Sequence, residues 1–440
     1  MSEEKLGFIT VTYRVRLYNR HQKWLIHTRQ LYNRVVWHYY QILRSKEELL
    51  EQGNFLVLRA LEEMSIGTKE MKAQGKEPLW KLENLPKIPL YFRRAAINAA
   101  IGLARTSFTS CKKKGKEKEE TFSQVMDASP VFYKGMYREF QRDSIQLKLY
   151  NGEKWVWVTY PYTGREFPLE GTFLSPTLKV EKKAAYLHVP IEKRINYAGT
   201  VREQVKEGKR ICAVAFPDQN NLAVCAILEG DGSLVGSYFI SGGRAREAQR
   251  RKVLERLEKS RKSRGFYKER KTRTGDGGIE KIERDSSGQG RENQVLYQKL
   301  EQINQYYVHK VSREILEYCK RNQIGAIVVP NYENSISFQK KAYLKTNSFR
   351  WQGRGIIRNL KYKAFQEGIL VTSIRPHLIS ACCSECGEKI QRYNEGHKAS
   401  QNYYGGQLFV CPNGHRGNAA LNTAKNIGRY FLRSFKKEEL

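Results

Sequence analysis

Four cysteine and histidine residues in the C-terminal part of the chain have the spacing of metal ligands. Cys383-x-x-Cys386 and Cys411-x-x-x-His415 enclose residues 387–410. Paired thiolates at this spacing are the usual ligands of a structural zinc ion, which is four-coordinate and tetrahedral. The sequence therefore predicts a structural zinc site here, with a fold that needs no metal as the alternative.

A second position matters because of the residue type that it lacks. Ile324 to Val329 is a short apolar run, as expected for a strand covered on both faces, and a helical pattern precedes it from Gln302. Ligands and catalytic groups of open α/β sheets lie at the carboxyl ends of such strands. This chain has Pro330 and Asn331 there. A nuclease of this shape would need a carboxylate at that point to hold a divalent metal.

The composition indicates a polyanionic partner. The 440 residues include 78 Lys and Arg against 45 Asp and Glu, a net charge of +33, and 26 tyrosines that suit stacking on bases. An excess of this size favours nucleic acid, with a ribosomal or membrane-surface protein as the alternative. Eight cysteines in a chain of this length do not indicate a disulfide scaffold.

Neither a membrane partner nor export is expected. No apolar run approaches the roughly 20 residues needed to span a bilayer. The first residues, MSEEKLGF, lack the apolar core of a signal peptide. We therefore expect a cytoplasmic bacterial protein that is associated with the nucleoid.

The N-terminal half is predicted to be a small β-barrel with a helical insertion. Alternating patterns predict a strand at Lys5–Tyr18 and further strands between Tyr137 and Pro190, punctuated by Gly and Pro. Apolar residues at helical spacing predict helices at Trp24–Leu43, Phe55–Met64 and Tyr91–Phe108.

The C-terminal half is predicted to be an α/β sheet. Two buried strands joined near Gly230 follow Lys209, and a basic helix runs over Arg244–Lys271. After the strand at Ile324 come a second basic helix at Arg350–Phe365, another strand and a last helix. Alternation of strands and helices is typical of such sheets.

Short motifs stand in a specific order along almost the whole chain. They are Arg16-Leu17-Tyr18, Leu31-Tyr32-Asn33, Ala185 to Glu192, Gln219 to Ala223, Trp351, Tyr362-Lys363-Ala364 and Asn422 to Ile427. In this order and spacing, the chain resembles the TnpB family of RNA-guided nucleases and the related miniature type V CRISPR effectors. Within this group it resembles the nuclease-dead TnpB-like repressors and also the naturally nuclease-dead miniature CRISPR effectors.

The resemblance implies an α+β multidomain fold. Its parts would be a β-barrel wedge domain of residues 1–20 and 130–200, a helical recognition insertion of residues 21–129, an RNase H-like (RuvC) α/β domain of residues 201–380 and 416–440, and a zinc-ribbon insertion of residues 381–415.

In the family, three acidic residues of the RuvC domain hold two metal ions that activate water and stabilise the leaving oxygen. By the motifs, the corresponding positions here are Phe216, Pro330 and Ala420. None of these side chains can ligate Mg²⁺, which needs oxygen ligands. We therefore expect no nuclease activity and no catalytic magnesium.

Other acidic residues offer a rival interpretation. Asp218 and Asp231 lie near the first position in the sequence, and Glu333 lies near the second. A shifted site built on Asp218 and Glu333 would still lack a third ligand, because no Asp follows Asp285 and the acids after Cys411 are Glu438 and Glu439.

The resemblance also implies a zinc ribbon at the cysteine cluster, usually with four cysteines. The fourth is missing from Cys411-Pro-Asn-Gly-His, so His415 is its natural replacement, and Cys382 or His397 are the alternatives. The remaining cysteines are expected to be buried in the fold. They are Cys111, Cys212, Cys225 and Cys319.

Two groups of residues are candidates for nucleic-acid contact by the same resemblance. Arg93 and Arg94 begin the last insertion helix and would contact the flanking motif, with plain surface arginines as the alternative. The others would line a channel for the RNA–DNA heteroduplex, or form a solvated helix face. They are Arg350, Trp351, Arg354, Arg358, Lys361 and Lys363.

The functional hypothesis is a nuclease-inactive RNA-guided protein. It would bind a guide RNA and a complementary double-stranded DNA next to a short flanking motif, and so repress transcription. One alternative is a targeting adaptor that recruits RNA polymerase, a sigma factor or a transposition complex. The other is an active endonuclease with relocated acids. A homodimer on one guide RNA is a further expectation.

Overall fold

The computed structural model describes most of the chain. The described residues are 4–18, 21–66, 71, 73–82, 85–114, 127–166, 168, 171–181, 184–217, 220–268, 293–331, 348–375, 379–397, 399 and 406–436. The chain divides into two compact units, Phe8–Arg194 on the one hand and Met1–Gly7 with Ile195–Leu440 on the other.

The first unit is built on a seven-stranded sheet. Its strands are β1 (Glu4–Leu17), β2 (Tyr137–Arg138), β3 (Ser144–Tyr150), β4 (Trp155–Gly164), β5 (Thr172–Phe173), β6 (Thr177–Val180) and β7 (Ala185–Ala198). The order is β2-β3-β4-β1-β7-β5, with β6 also paired to β7. Among the described residues β2 and β5 do not pair with each other, so the predicted barrel is a half-barrel.

Three helices share one hydrophobic core with this sheet. They are α1 (Gln22–Ser45), α2 (Asn54–Ile66) and α3 (Leu90–Lys114), which confirms the predicted helices within a few residues at each end. Tyr32 of α1 is fully buried and donates a hydrogen bond to the carbonyl oxygen of Ala95 on α3, at 2.9 Å. Because Tyr32 and the sheet residue Leu147 belong to the same core, the helical insertion and the barrel strands form one compact unit.

The second unit is a five-stranded α/β sheet, as predicted. Its strands are β8 (Ile211–Ala215), β9 (Asn221–Leu228), β10 (Leu234–Ser241), β11 (Ala326–Pro330) and β12 (Leu370–Ile374). The order is β10-β9-β8-β11-β12. The first three strands pair antiparallel, whereas β11 is parallel to both β8 and β12.

Helices cover both faces of this sheet. The helices of the unit are α4 (Val201–Lys206), α5 (Gly243–Lys268), α6 (Gln294–Arg321), α7 (Ser348–Gln366) and α8 (Ala419–Lys436). All five residues of β8 are buried, and alternate ones face opposite sides. Cys212 and Val214 join a core with α6 and α7, while Ile211 and Ala213 join a core with α8.

A small three-stranded sheet interrupts the second unit before α8. It contains β13 (Gln391–Tyr393), β14 (Leu408–Val410) and β15 (Arg416–Asn418), paired antiparallel. The predicted insertion of residues 381–415 therefore continues to Asn418, because β15 completes its sheet. Among the described residues, no helix combines the length and the apolar character needed to cross a membrane.

Candidate functional site

The three positions predicted to correspond to the family's acids lie toward one edge of the five-stranded sheet. Because β8 and β11 are adjacent and parallel, Phe216 after β8 and Pro330 at the end of β11 lie at the same edge. Ala420 lies in the first turn of α8.

The direction of α8 brings its first turn toward this edge. In its second half, Gly428 packs on Ala213 in the middle of β8, and Arg429 Nε donates to the carbonyl oxygen of Gly232, at 3.1 Å, in the turn beyond the opposite edge. From Arg429 back to Ala420 the helix therefore runs toward the carboxyl end of β8.

Each of the three residues has a structural role of its own. Phe216 is 9% exposed and belongs to the apolar core of α6 and α7. Pro330 is buried and pairs with Ile374 of β12. The backbone N–H of Ala420 donates to Asn418 Oδ1 at 2.9 Å, so that Asn418 caps α8. These positions offer no side-chain oxygen to a metal ion.

The structure corrects one of the alternative acids. Leu228 pairs with Ile211, the first residue of β8, so the turn that contains Asp231 lies at the opposite edge from Phe216. The carboxylate of Asp231 accepts a hydrogen bond from the backbone N–H of Ser233, at 2.8 Å. Asp218 and Glu333 fall outside the described residues, as do Glu438 and Glu439.

By the resemblance, the basic helix predicted over Arg244–Lys271 would also line the heteroduplex channel. The structure places the start of this helix at the same edge and buries one of its arginines, which the sequence analysis did not predict. Arg244 Nε donates to Asn220 Oδ1 at 2.7 Å, just before β9 begins. Two residues further along α5, Arg246 is 2% exposed, and its burial together with the nearby Arg250 lowers its pKa to about 10. The signal was present in the sequence, because Arg246 and Arg250 continue the buried stripe of Val253 with helical spacing.

The predicted metal ligands are brought together. The ligand atoms of Cys383, Cys386, Cys411 and His415 all lie within 4.8 Å of one another. Cys386 Sγ is 3.7 Å from Cys411 Sγ, and Cys411 Sγ is 3.3 Å from His415 Nδ1. A tetrahedral zinc ion with Zn–S bonds of about 2.3 Å separates two sulfur ligands by about 3.8 Å. The cluster therefore fits a metal ion of this kind.

The protonation of the thiols is compatible with metal binding. The pKa of the Cys386 thiol is lowered to about 7, first by a backbone hydrogen bond from Glu388 and then by His415 and the other cysteines. Burial raises the pKa of the Cys383 thiol. The thiolate is the form that binds a metal, and a bound cation deprotonates its thiol ligands.

The two alternative ligands have other roles. The carbonyl oxygen of Cys382 accepts hydrogen bonds from Asn422 and Asn426 of α8, both at 2.8 Å, and the Cys382 side chain is not part of the cluster. His397 Nδ1 lies 3.3 Å from the carbonyl oxygen of Glu395 and is also outside it. His415 is therefore the fourth member.

The Asn422 to Ile427 motif ties the cluster to the sheet. Asn422 Oδ1 accepts a hydrogen bond from the backbone N–H of Ser384, at 2.7 Å, and Lys425 and Arg429 hold the carboxylate of Glu385. These two cations, Lys425 first, lower the pKa of Glu385 to about 2. The motif, together with Arg429, thus fixes the metal-binding loop on α8.

The other cysteines agree with the prediction where they are described. Cys212, Cys225 and Cys319 are fully buried between the five-stranded sheet and α6. The side chain of Cys111 lies outside the described part.

Arg93 and Arg94 form ion pairs within the fold. Both contact Glu62 of α2, with Arg94 Nη2 at 3.0 Å and Arg93 Nη2 at 3.4 Å from its carboxylate oxygens. The carboxylate raises the pKa of Arg94, whose side chain is 40% exposed. These contacts link α2 to α3, which favours a structural role for the pair.

The candidates on α7 differ in their surroundings. Lys363 Nζ donates to the carbonyl oxygen of His309 at 3.2 Å and to Ser312 Oγ at 3.1 Å, which fixes α7 on α6. Arg358 and Lys361 are exposed, and Arg354 is partly exposed. The side chains of Arg350 and Trp351 fall outside the described ones.

Two family models match parts of the chain. Residues 9–151 match the Aq_aa04 family, and residues 354–427 match the Cas12f1-like TNB domain. The second match includes α7 from residue 354 onward, the Cys–His cluster and the first half of α8.

A curated protein is similar over about a third of the chain, and a solved structure is similar over nearly all of it. A CRISPR-associated endodeoxyribonuclease Cas12f1 of an uncultured archaeon is 24% identical over 159 residues, which are 34% of this chain and 29% of that relative. The cryo-EM structure of a Cas12f1–sgRNA–target DNA complex aligns with a TM-score of 0.52 and 13% identity, over 96% of this chain and 98% of that one. The second likeness shows the fold.

Proposed function

We propose that this chain, a TnpB-like miniature type V effector, uses a guide RNA to bind a complementary double-stranded DNA and does not cut it. In such recognition the guide supplies the sequence by base pairing, while the protein binds the duplex by its shape and reads a short flanking motif. The net charge of +33 suits a protein that holds two nucleic acids. The curated relative is named as an endodeoxyribonuclease, so the missing activity is a departure from it.

The observation that carries the proposal is the chemistry of three positions at one sheet edge. Phe216, Pro330 and Ala420 stand where a RuvC-like nuclease would hold two metal ions with carboxylates. A benzyl group, the three methylene groups of a proline and a methyl group have no oxygen atom to bind Mg²⁺. The burial of Phe216 in the apolar core further disfavours a hydrated metal ion beside it.

A protein that occupies its target without cutting it would block transcription. Repression is therefore the simplest output of this chemistry, and it needs no further protein partner. Recruitment of RNA polymerase, a sigma factor or a transposition complex would require a docking surface in addition.

We also propose that the Cys–His cluster holds a structural zinc ion. Three thiolates and one imidazole are ligands that zinc prefers, and four protein ligands leave no open position for catalysis. When bound, the ion would cross-link two loops and would take no part in a reaction. The chain itself positions the ligands through β13, β14 and the hydrogen bond between Ser384 and Asn422.

The test begins with purification of the protein together with its bound RNA, which is then sequenced. A duplex that matches the RNA and a scrambled duplex are compared in Mg²⁺, with occupancy and strand breaks measured on the same samples. We expect occupancy of the matched duplex alone, with intact strands. Cleavage that disappears in both Asp218→Ala and Glu333→Ala would instead establish the nuclease with relocated acids.

A further inference from the structure

The outer face of the β2-β3-β4 sheet carries a group of polar and aromatic side chains that the core does not use. On β3, Ile145, Leu147 and Leu149 are buried, so the residues between them point outward. The strand register places Lys148 opposite Trp157, and Gln146 opposite both Thr159 and Arg138. We call Arg138, Gln146, Lys148, Trp157 and Thr159 the Trp157 face.

Within the Trp157 face, a guanidinium group lies over an indole ring. Arg138 Cζ is 4.2 Å from the centroid of the Trp157 ring, and Lys148 Nζ is 5.8 Å from it. Arg138 Nε also donates to Gln146 Oε1, and Gln146 Nε2 donates to Thr159 Oγ1 at 3.2 Å. This chain of contacts orients the guanidinium plane, while 52% of the Arg138 side chain stays exposed.

A second arginine–aromatic pair in the same unit provides a contrast. Arg14 Cζ lies 3.7 Å from the centroid of the Tyr186 ring, but Arg14 Nη2 also forms an ion pair of 2.8 Å with Glu181. The carboxylate nearest in sequence to Arg138, that of Glu139, is 3.9 Å from its Nε. The charge of Arg14 is thus balanced by a carboxylate at 2.8 Å. The carboxylate of Glu139 is 3.9 Å from Arg138, close to the longest distance at which an ion pair forms.

We infer that the Trp157 face binds an unpaired nucleobase of the guide RNA, stacked on the outer side of the Arg138 guanidinium. Unpaired RNA bases stack on aromatic rings and on guanidinium planes, and an open sheet face is a common platform for them. Lys148, beside the stack, would contact the adjoining phosphate. The inference rests on the proposed function, since that function supplies an RNA.

The geometry of the face favours an unpaired RNA base over the paired bases of the DNA target. A target duplex keeps its bases stacked in pairs, and the guide segment that reads it is paired as well. The rest of a guide RNA can present unpaired bases, which are what a flat guanidinium recognises. A displaced DNA strand is the other source of unpaired bases and becomes an outcome of the test.

The test uses the full-length protein and the RNA that co-purifies with it. Trp157→Ala and Arg138→Gln should each weaken binding of that RNA about 5- to 150-fold, the range expected for one stacked base. Trp157→Phe keeps an aromatic ring and should bind close to wild type. Arg14→Gln removes the same charge from the neutralised pair and serves as the matched control. Thermal unfolding of every variant checks that it is folded.

Ultraviolet cross-linking of the guided complex identifies the stacked base. A cross-link between Lys148, which lies beside the stack, and one unpaired RNA nucleotide supports the inference if Arg138→Gln weakens it. A cross-link to the displaced DNA strand overturns the assignment to RNA. Equal RNA affinity of wild type, Trp157→Ala and Arg138→Gln overturns the platform, although the proposed function stands if wild type still carries its RNA and occupies its target. A wild-type protein that binds no defined RNA contradicts both.

Discussion

Among single residues, Phe216 has the largest consequence for chemistry. Its ring follows β8 directly and packs in the core that contains Leu222, Tyr307 and Val308. A carboxylate placed in this apolar surrounding would lose much of its hydration, which costs free energy. An acid introduced at this position alone is therefore expected to lower the stability of the protein before it can contribute to catalysis.

We expect Phe216→Asp to destabilise the protein by about 3 kcal/mol or more, because it removes a buried ring and buries a charge. Urea unfolding measures the change. Phe216→Leu is the control, since it keeps an apolar side chain and should cost less than about 1.5 kcal/mol. Full stability of Phe216→Asp, or cleavage of a matched duplex by it, would count against the account.

The Cys–His cluster makes a prediction about metal content. Wild type should carry about one zinc ion per chain, whereas His415→Ala should lose most of it because three ligands hold zinc less tightly than four. His415→Cys should retain zinc, since it restores a fourth thiolate. Elemental analysis of dialysed protein measures the ratio.

Cys382→Ser is the matched control for that experiment. It alters a neighbouring thiol that lies outside the cluster and should leave the zinc content unchanged. Loss of zinc in Cys382→Ser, with retention of zinc in His415→Ala, would show that Cys382 and not His415 is the fourth ligand.

The metal ligands could be predicted from the sequence because each pair of them is separated by only two or three residues. The choice of the fourth ligand could not be settled in this way. Cys382 and Cys383 are adjacent, and which of them turns toward Cys411 depends on the backbone. A bridge between Cys382 and Lys389 and the two hydrogen bonds to the Cys382 carbonyl oxygen set that direction. Such contacts join segments far apart in the chain and have no local signature.

At the scale of elements, the contact between α8 and the five-stranded sheet depends on a glycine. A Cβ atom on Gly428 would overlap the Leu228 side chain and lie 3.1 Å from Ala213 Cβ. The helix can approach this closely because residue 428 has no side chain. Since α8 also carries Ala420 and the asparagines that hold the metal-binding loop, its position affects both candidate sites.

We expect Gly428→Ala to destabilise the second unit by about 1 to 3 kcal/mol through overpacking. Gly102→Ala is the control, because Gly102 is exposed within α3 and a Cβ atom there meets nothing within 4 Å. It should be neutral or stabilise by up to about 1 kcal/mol, as expected from helix propensity. Thermal unfolding followed by circular dichroism compares the two, and equal effects would contradict the packing argument.

The ion pairs between α2 and α3 offer a test of whether Arg93 and Arg94 stabilise the fold or contact nucleic acid. Glu62→Gln removes the carboxylate that pairs with Arg93 and Arg94, and should cost about 1 to 3 kcal/mol since both partners are partly buried. Glu77→Gln breaks the exposed pair with Lys81 and should cost less than about 0.5 kcal/mol.

Retention of the co-purified RNA is measured on the same two proteins. If Arg93 and Arg94 are structural, Glu62→Gln loses stability and keeps its RNA affinity at the permissive temperature. An increase in RNA affinity with unchanged stability would instead show that Glu62 competes with phosphates for these arginines.

The elements themselves were predictable, whereas their pairing was not. Helix α1 and strand β11 follow from periodicity within a few residues, because side-chain spacing reflects the local backbone. The position of Asp231 at the far edge of the sheet required the register of β8 with β9. The ion pairs of Glu62 required the packing of two helices, which no local pattern encodes.

At the scale of the whole molecule, the proposal joins a strong positive charge with the expected absence of a catalytic metal site. The net charge of +33 gives the protein a strong attraction for nucleic acids. Cleavage would need three carboxylates at one sheet edge, and the three positions predicted for them hold apolar side chains. Binding and cutting depend on different parts of the chain, so one can persist without the other.

One measurement tests this separation most directly. A supercoiled plasmid that carries the sequence matched to the co-purified RNA is incubated with the complex in Mg²⁺ and, separately, in Mn²⁺. Occupancy is read by protection of the matched site, and strand breaks by the loss of supercoiling. The account predicts a protected site on a plasmid that stays supercoiled in both metals. Nicked or linear plasmid, dependent on the matched sequence and abolished by chelation, would contradict it.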